Sequence, residues 1–454
     1  MAFEFVKKLA AELALDRTVE YVAKDPERNI FAILDFAARV AVSPEHKKKI
    51  LSFKDHIKNH PLILDQVKRI AVNPKMVANF ITNWLVNNFL IGKSIREKHS
   101  RELGTGVPAL ILVDPTAACN LSCKGCWAGE YDKAERMEPE LFDRILTEAE
   151  ELGIYWIVFS GGEPFAYKPL LDVVSRHPDM SFMAYTNGTL IDEKTADRLA
   201  EIANLSPALS LEGWREQTDD RRGAGTFAKI IKTMDLLRER GVLFGASVTV
   251  TRRNADILFR DDFIDFLVDK GAVYLWSFHY IPIGRKPDLD LMLTAEQRSW
   301  LAFRVPQLRQ EKPIFIADFW NDGESTEGCI AGGRLYFHIN AAGDVEPCAF
   351  AHFSADNIHG KSLKSVLQNP LFKAYQRRQP FNENHLAPCP IIDSPQALRD
   401  MVAESGAHPT HEGAEGLLEG EISAYLDEVS ERWKKEAQKI KAQKEDSIKM
   451  ACPL

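Results

Sequence analysis

Residues 119–126 read Cys119-Asn120-Leu121-Ser122-Cys123-Lys124-Gly125-Cys126 and follow closely on the apolar run Ala109 to Val113. Three thiols on one short loop can wrap a single soft metal centre, because thiolate ligands select zinc or iron–sulfur clusters over hard cations. On a 4Fe-4S cluster, three such cysteines hold three irons and leave the fourth open. The octapeptide alone leaves two other readings standing: a structural zinc site and three reduced cysteines without metal.

The context downstream narrows the choice. Ser160-Gly161-Gly162-Glu163-Pro164 closes a second apolar run, Ile154 to Phe159; a third, Phe182 to Tyr185, ends in Thr186-Asn187-Gly188; a fourth ends in Ser210-Leu211-Glu212-Gly213. Each alone is an ordinary turn. In this order, behind this cysteine loop, they resemble the signature of radical S-adenosylmethionine (radical SAM) enzymes. The resemblance implies that Cys119, Cys123 and Cys126 are the catalytic cluster ligands, with S-adenosylmethionine chelating the open iron and cleaved reductively to a 5′-deoxyadenosyl radical. It places Gly161, Gly162 and Glu163 at the methionine amino group, Asn187, Ser210 and Glu212 near ribose and methionine, and Arg222 near the methionine carboxylate. Relatives usually carry an aromatic residue just before the third cysteine, beside the adenine; here that position is Gly125, and Trp127 is the substitute on offer. Reductive cleavage implies an electron donor such as ferredoxin or flavodoxin. A simple cluster-bearing electron carrier would need neither Gly161-Gly162-Glu163 nor Asn187-Gly188.

Six strand-like runs alternate with helical stretches: Ala109 to Val113, Tyr155 to Phe159, Phe182 to Tyr185, Ala208 to Leu211, Phe244 to Val250 and Tyr274 to Ile281. Between them, Pro139 to Glu151, Glu193 to Ala203, Thr226 to Arg240 and Asp261 to Lys270 carry apolar residues at helical spacing. Near-continuous apolar strands alternating with helices predict an α/β fold with a parallel sheet, and six units resemble the partial (β/α)6 TIM barrel of the radical SAM family. The motifs fall at the carboxyl ends of strands, where such folds place their sites. The predicted organisation is a helical region over 1–105, the barrel over 106–315, an iron–sulfur domain over 316–400 and a helical tail over 401–454.

In the third of these regions Cys329 is followed by Gly343-Asp344-Val345-Glu346-Pro347-Cys348 and then Cys389-Pro390, with Arg334 to Ile339 alternating as a hairpin strand. This resembles a SPASM or shorter twitch domain, which implies a second, auxiliary 4Fe-4S cluster on Cys329, Cys348 and Cys389. His352, His385, a carboxylate or substrate remain candidates for its fourth iron, and a structural zinc is the alternative. Cys452, in the tail, is expected to stay unligated. An odd count of seven cysteines fits a reducing compartment rather than a disulfide framework.

The net charge of −8 argues against nucleic acid as a partner. Met1 to Leu15 is amphipathic and lacks a signal-peptide pattern, so the expected location is cytoplasmic, with a peripheral membrane contact if the amino-terminal helices dock there. Met76 to Ile91 is strongly apolar between Lys75 and Lys93; it is too short to span a bilayer and reads as a buried or an interfacial helix, as does the stripe Phe31, Ile33, Leu34, Phe36 and Val40. Leu417 to Lys449 reads as a solvated, charge-dense helix. No strand-rich, leader-binding module is expected within the residues that precede the barrel. Two substrate readings follow: an apolar lipid chain joined through a carbon–carbon bond at an unactivated carbon, as in radical SAM synthases of membrane-spanning lipids, and a ribosomal peptide, as in many SPASM enzymes.

Overall fold

The computed structural model describes residues 21, 24–40, 47, 51, 52, 54, 55, 58, 65 and 73–451. Cys452 and most of the first seventy-two positions, Met1 to Leu15 among them, lie outside the described residues. The apolar runs form strands β1 (Leu110–Val113), β2 (Trp156–Phe159), β3 (Ser181–Thr186), β4 (Leu205–Leu211), β5 (Gly245–Val250), β6 (Tyr274–His279) and β7 (Phe315–Asp318). Each pairs in parallel with the next, which requires a crossover between every pair. Between the strands lie helices α1 (Pro139–Glu151), α2 (Leu170–Ser175), α3 (Glu193–Ile202), α4 (Thr226–Glu239), α5 (Asp261–Lys270) and α6 (Ala295–Glu311). The result is a curled, partial TIM barrel.

Side chains alternate across the strands. Ile111, Val113, Ile157, Phe159, Phe182, Leu209 and Leu211 point into the layer under the helices. Leu112, Val158, Met183 and Ala208 point to the opposite, inner side. One face of the sheet therefore builds the core, and the other builds a lumen.

One barrel strand, β7, exceeds the six predicted. β7 is only four residues long and follows a helix with an internal proline, Pro306, which hides it from a periodicity reading. The expected hairpin forms from β8 (Tyr336–Ile339) and β9 (Val345–Glu346), antiparallel across Gly343 at φ +86°. β8 also pairs in parallel with β1, so the carboxyl-terminal region continues the barrel sheet. A buried polar chain fastens this joint. His338 Nε2 lies 2.9 Å from Asp114 and Nδ1 2.6 Å from Glu346; Tyr131 Oη donates to Glu346 and lies 2.6 Å from His352 Nδ1. Burial alone would lower the His338 pKa, but the two carboxylates outweigh it and hold it at about 10.

The apolar segment ahead of the barrel is a helix closing the barrel's amino-terminal end. It runs as Pro74–Asn79, a wide π-helical stretch Phe80–Ile91, and Gly92–Leu103. Its asparagines satisfy carbonyls of the loops that enter the strands: Asn79 donates to Ala203, Asn83 to Pro178 and Met180, and Asn87 to Asp179. Asn88 accepts from Tyr155 N, and Arg96 reaches Gly153. The face packed on the barrel is this polar one, whereas Phe80, Phe89 and Ile91 of the apolar cluster expected to be buried or interfacial are exposed. Among the described residues no helix is long and apolar enough to cross a membrane.

The tail departs from expectation. Gly420–Ala451 forms a helix whose Leu426, Trp433, Ala437 and Ile440 are buried. Trp433 stacks under the Arg298 guanidinium at 4.0 Å and donates Nε1–H to Leu386. Its apolar stripe was diluted by surrounding charge, which a density-based reading counts and a packed face does not.

Replacing Asn83 by alanine orphans the buried Met180 carbonyl, an unmade hydrogen bond of about 1–3 kcal/mol, and frees the half-buried Pro178 carbonyl to water. Chemical unfolding of Asn83→Ala is expected to show a lower midpoint than the parent; an unchanged midpoint would mean that the asparagine ladder does not fasten the helix.

Candidate active site

The cysteine loop is fixed to the sheet by glycine contacts. Gly162 N donates to Thr116 O and Glu163 N to Ala118 O, at 2.9 and 2.8 Å. A Cβ on Gly162 would stand 2.1 Å from Ala118 O, and Gly161, at φ +95°, would place one 2.6 Å from Thr116 O. Only glycine permits this approach. Glu163 is fully buried: Oε1 accepts from Thr186 Oγ1 and Phe165 N, Oε2 from Asn187 N. Burial pushes its carboxyl pKa up against the pull of these donors. The three bonds leave its carboxylate about one acceptor site for a ligand, so Glu163 braces the next strand end as well as facing the cavity. Asn187 Nδ2 in turn donates to Asn120 inside the cysteine loop, at 2.9 Å.

Cys119, Cys123, Cys126, Trp127, Gly161, Gly162, Glu163, Asn187, Ser210 and Arg222 all line one cavity of about 1410 Å³ including its open mouth. Burial pushes the Cys119 thiol up to about 11 and raises Cys126 as well. Ser210 Oγ lies 3.1 Å from Ser247 Oγ. Glu212 stands behind the wall, 1% exposed, accepting from the guanidinia of both Arg221 and Arg222. It holds these cations rather than reaching the lumen.

Several lining residues went unread in the sequence. Arg221 donates to Thr249 Oγ1 and to Gly125 O, and its own carbonyl accepts from Lys124 N, so it is the more tightly integrated of the two arginines. Gly125, at φ +59°, makes room for Tyr280: a Cβ there would lie 2.8 Å from the Tyr280 ring. The aromatic wall next to the third cysteine thus arrives from the end of β6. Trp127 turns toward the carboxyl-terminal region instead, with ring contacts to Tyr131, His338, Phe350 and His352 between 5.7 and 6.3 Å. Below the mouth the lumen is apolar and aromatic, lined by Leu110, Leu112, Trp156, Val158, Met183, Tyr185, Trp276 and Phe278.

The sequence matches the radical SAM superfamily model over residues 113–254 and the SPASM iron-sulfur cluster-binding domain over 329–390. The chain carries a radical SAM domain and a SPASM domain. It is similar to the AdoMet-dependent heme synthase of Methanosarcina barkeri, 23% identical over 294 residues that cover 58% of this chain and 83% of the relative. The PqqA peptide cyclase of Bradyrhizobium diazoefficiens is 25% identical over 61% of this chain and 75% of its own. The fold is that of Streptococcus suis SuiB bound to S-adenosylmethionine, at TM-score 0.54 and 17% identity over 76% of this chain and 84% of that one.

A radical SAM domain binds a 4Fe-4S cluster and S-adenosylmethionine, and a SPASM domain binds auxiliary iron–sulfur clusters. The residues present fit the first group: three thiols on one loop at the cavity mouth, glycine backbone beside them, a carboxylate for an ammonium and buried guanidinia for a carboxylate. They fit the second as well, since Cys348 and Cys389 are buried and Cys329 half-buried in the same region, and desolvation raises all three thiols, to about 11 for Cys329, about 12 for Cys348 and well above the ordinary value for Cys389. Deprotonation by a bound metal removes that cost. Among the described residues no three His, Cys, Asp or Glu side chains stand as a single-ion site requires. His352 is engaged with Tyr131 and packs 4.1 Å from His411.

Gly162→Ala puts a methyl into the Ala118 carbonyl and is expected to displace the cysteine loop. Iron and sulfide after anaerobic reconstitution should fall by the content of one cubane, about four irons, with the auxiliary iron retained. Full iron in this variant would contradict the account of the loop.

Proposed function

We propose that this radical SAM enzyme abstracts hydrogen from an unactivated carbon of an apolar chain held in the barrel lumen, and joins such chains through a carbon–carbon bond. When bound and reduced, the cluster with S-adenosylmethionine supplies a 5′-deoxyadenosyl radical at the mouth. Cys119, Cys123 and Cys126 ligate that cluster, Asn187, Ser210 and Arg222 orient the cofactor beside it, and Cys329, Cys348 and Cys389 ligate the auxiliary one.

The observation that carries the substrate reading is the division of the cavity. Its polar groups cluster at the strand carboxyl ends, while below them the wall is aliphatic and aromatic as far as Leu110 and Trp156, the first residues of β1 and β2. Such a wall excludes water and gives a charged substrate no partner. Each methylene buried there contributes about 0.8 kcal/mol, so a long chain is held without a polar anchor. At the barrel's amino-terminal end Trp84 meets Trp156 at a ring distance of 5.8 Å. Phe80, Phe89, Ile91 and, at the start of β7, Phe315 are exposed at that same end, with Phe315 at 61%. This end of the molecule is suited to touch a lipid surface and to admit a chain behind Trp84. A peptide substrate is the second reading, supported by the similarity to the PqqA peptide cyclase and by the SuiB structure bound to precursor peptide SuiA.

The test is anaerobic turnover of the reconstituted enzyme with reductant, scored by 5′-deoxyadenosine and by mass spectrometry of the substrate. Phospholipid vesicles are expected to raise 5′-deoxyadenosine above the substrate-free rate and to yield coupled chains lighter by one hydrogen per joined carbon. Stimulation by peptide and not by lipid would overturn the reading. Phe80→Asp with Phe89→Asp, both at exposed sites, should keep iron content and unfolding midpoint yet lose vesicle association; retained association would remove this end as the docking face.

A further inference from the structure

The auxiliary cysteines are surrounded by polar side chains that no motif names. Tyr336, the first residue of β8, donates its hydroxyl to Cys348 Sγ at 2.7 Å. It is 4% exposed, yet its ring forms part of the lumen wall together with Ile330, Ala349 and Phe350, which sit one or two positions from Cys329 or Cys348. One side chain therefore touches both the substrate cavity and a cluster ligand.

A second tyrosine approaches from the other side. Tyr375 lies on the helix Pro370–Arg378, is fully buried, and its hydroxyl has no hydrogen-bond partner among the described residues. Gly332, three positions after Cys329, rests on it: a Cβ there would lie 2.4 Å from Tyr375 Cβ, and Gly332 N donates to Pro347 O next to Cys348. Tyr375 feels the charge of Cys348, Cys329 and Cys389 together. One turn on, Gln379 Nε2 donates to the carbonyls of Cys329 and Ala331, locking the ligand loop onto this helix. A buried hydroxyl left unpaired is costly, and beside three thiolates it has sulfur acceptors at hand.

We infer that Tyr336 and Tyr375 donate hydrogen bonds to the sulfurs of the auxiliary cluster and raise its reduction potential, with Tyr336 serving as the wall between that centre and the substrate. Hydrogen bonds to cluster sulfur stabilise the reduced form, which carries one more negative charge. These are positioning and tuning residues rather than catalytic ones. The inference rests on Cys329, Cys348 and Cys389 being the ligands.

The experiment is an EPR-monitored redox titration of the full chain carrying Cys119→Ala, Cys123→Ala and Cys126→Ala, reconstituted with iron and sulfide so that only the auxiliary centre titrates. Tyr336→Phe is expected to retain iron and to lower the reduced-to-oxidised ratio at fixed potential by about tenfold, ~59 mV for one electron. Tyr375→Phe should shift it in the same direction. An unmoved midpoint in both variants with iron retained overturns the inference. If either variant loses iron, the reduced centre of the unsubstituted-tyrosine chain decides: a strong hyperfine coupling to an exchangeable proton supports it, and the absence of such coupling refutes it. A Cys348→Ala chain that keeps all its auxiliary iron would instead refute the ligand assignment, a distinct failure.

Discussion

The site depends on backbone meeting backbone at Gly161 and Gly162. Their contact with the Thr116 to Ala118 carbonyls sets the cysteine loop against the end of β2, and any side chain there would occupy the carbonyl's place. Glu163 then passes the constraint on, since the backbone N–H of Asn187 and the hydroxyl of Thr186 at the end of β3 both bond to its buried carboxylate. Asn187 closes the circuit on Asn120 in the cysteine loop. Three motifs far apart in the chain become one mouth, each holding the next in place.

The buried ion chain Asp114, His338 and Glu346 does comparable work for the whole molecule. It lies where β8 pairs with β1, ties to Ser160 at the mouth through Asp114, and extends to Thr410 through Glu346. Breaking one partner of such a chain leaves an uncompensated buried charge. The auxiliary domain is consequently held in one relation to the lumen, which Phe350 and Tyr336 help to wall. Trp127, packed against His338 and Phe350, makes the contact between the cysteine loop and that domain.

Much of this was legible in the sequence because motif residues sit at strand ends and strands of a buried parallel sheet read as apolar runs. The cysteine loop, the glycine pair, Asn187, Ser210 and Arg222 were expected at one mouth from their strand-end positions and their resemblance to the radical SAM signature, and they share one cavity. Glu212 was misread in direction only, because sequence cannot tell a residue facing the lumen from one clamping its wall. Tyr280 was missed since its partner is an absence, the side chain that Gly125 lacks. The asparagine ladder went unseen because its acceptors are loop carbonyls, which have no signature. β7 was too short to show a period, and the Trp433 face was hidden among charges.

Removal of hydrogen from an apolar chain lying in the lumen below the cluster loop is the proposed reaction. Its most direct measurement is isotope transfer: the anaerobic, reduced enzyme is given S-adenosylmethionine and phospholipid with perdeuterated acyl chains, and the 5′-deoxyadenosine formed is weighed by mass spectrometry. Deuterium is expected to pass from the acyl chain into 5′-deoxyadenosine. Product that stays unlabelled with this lipid, yet acquires deuterium from a perdeuterated peptide, would contradict it.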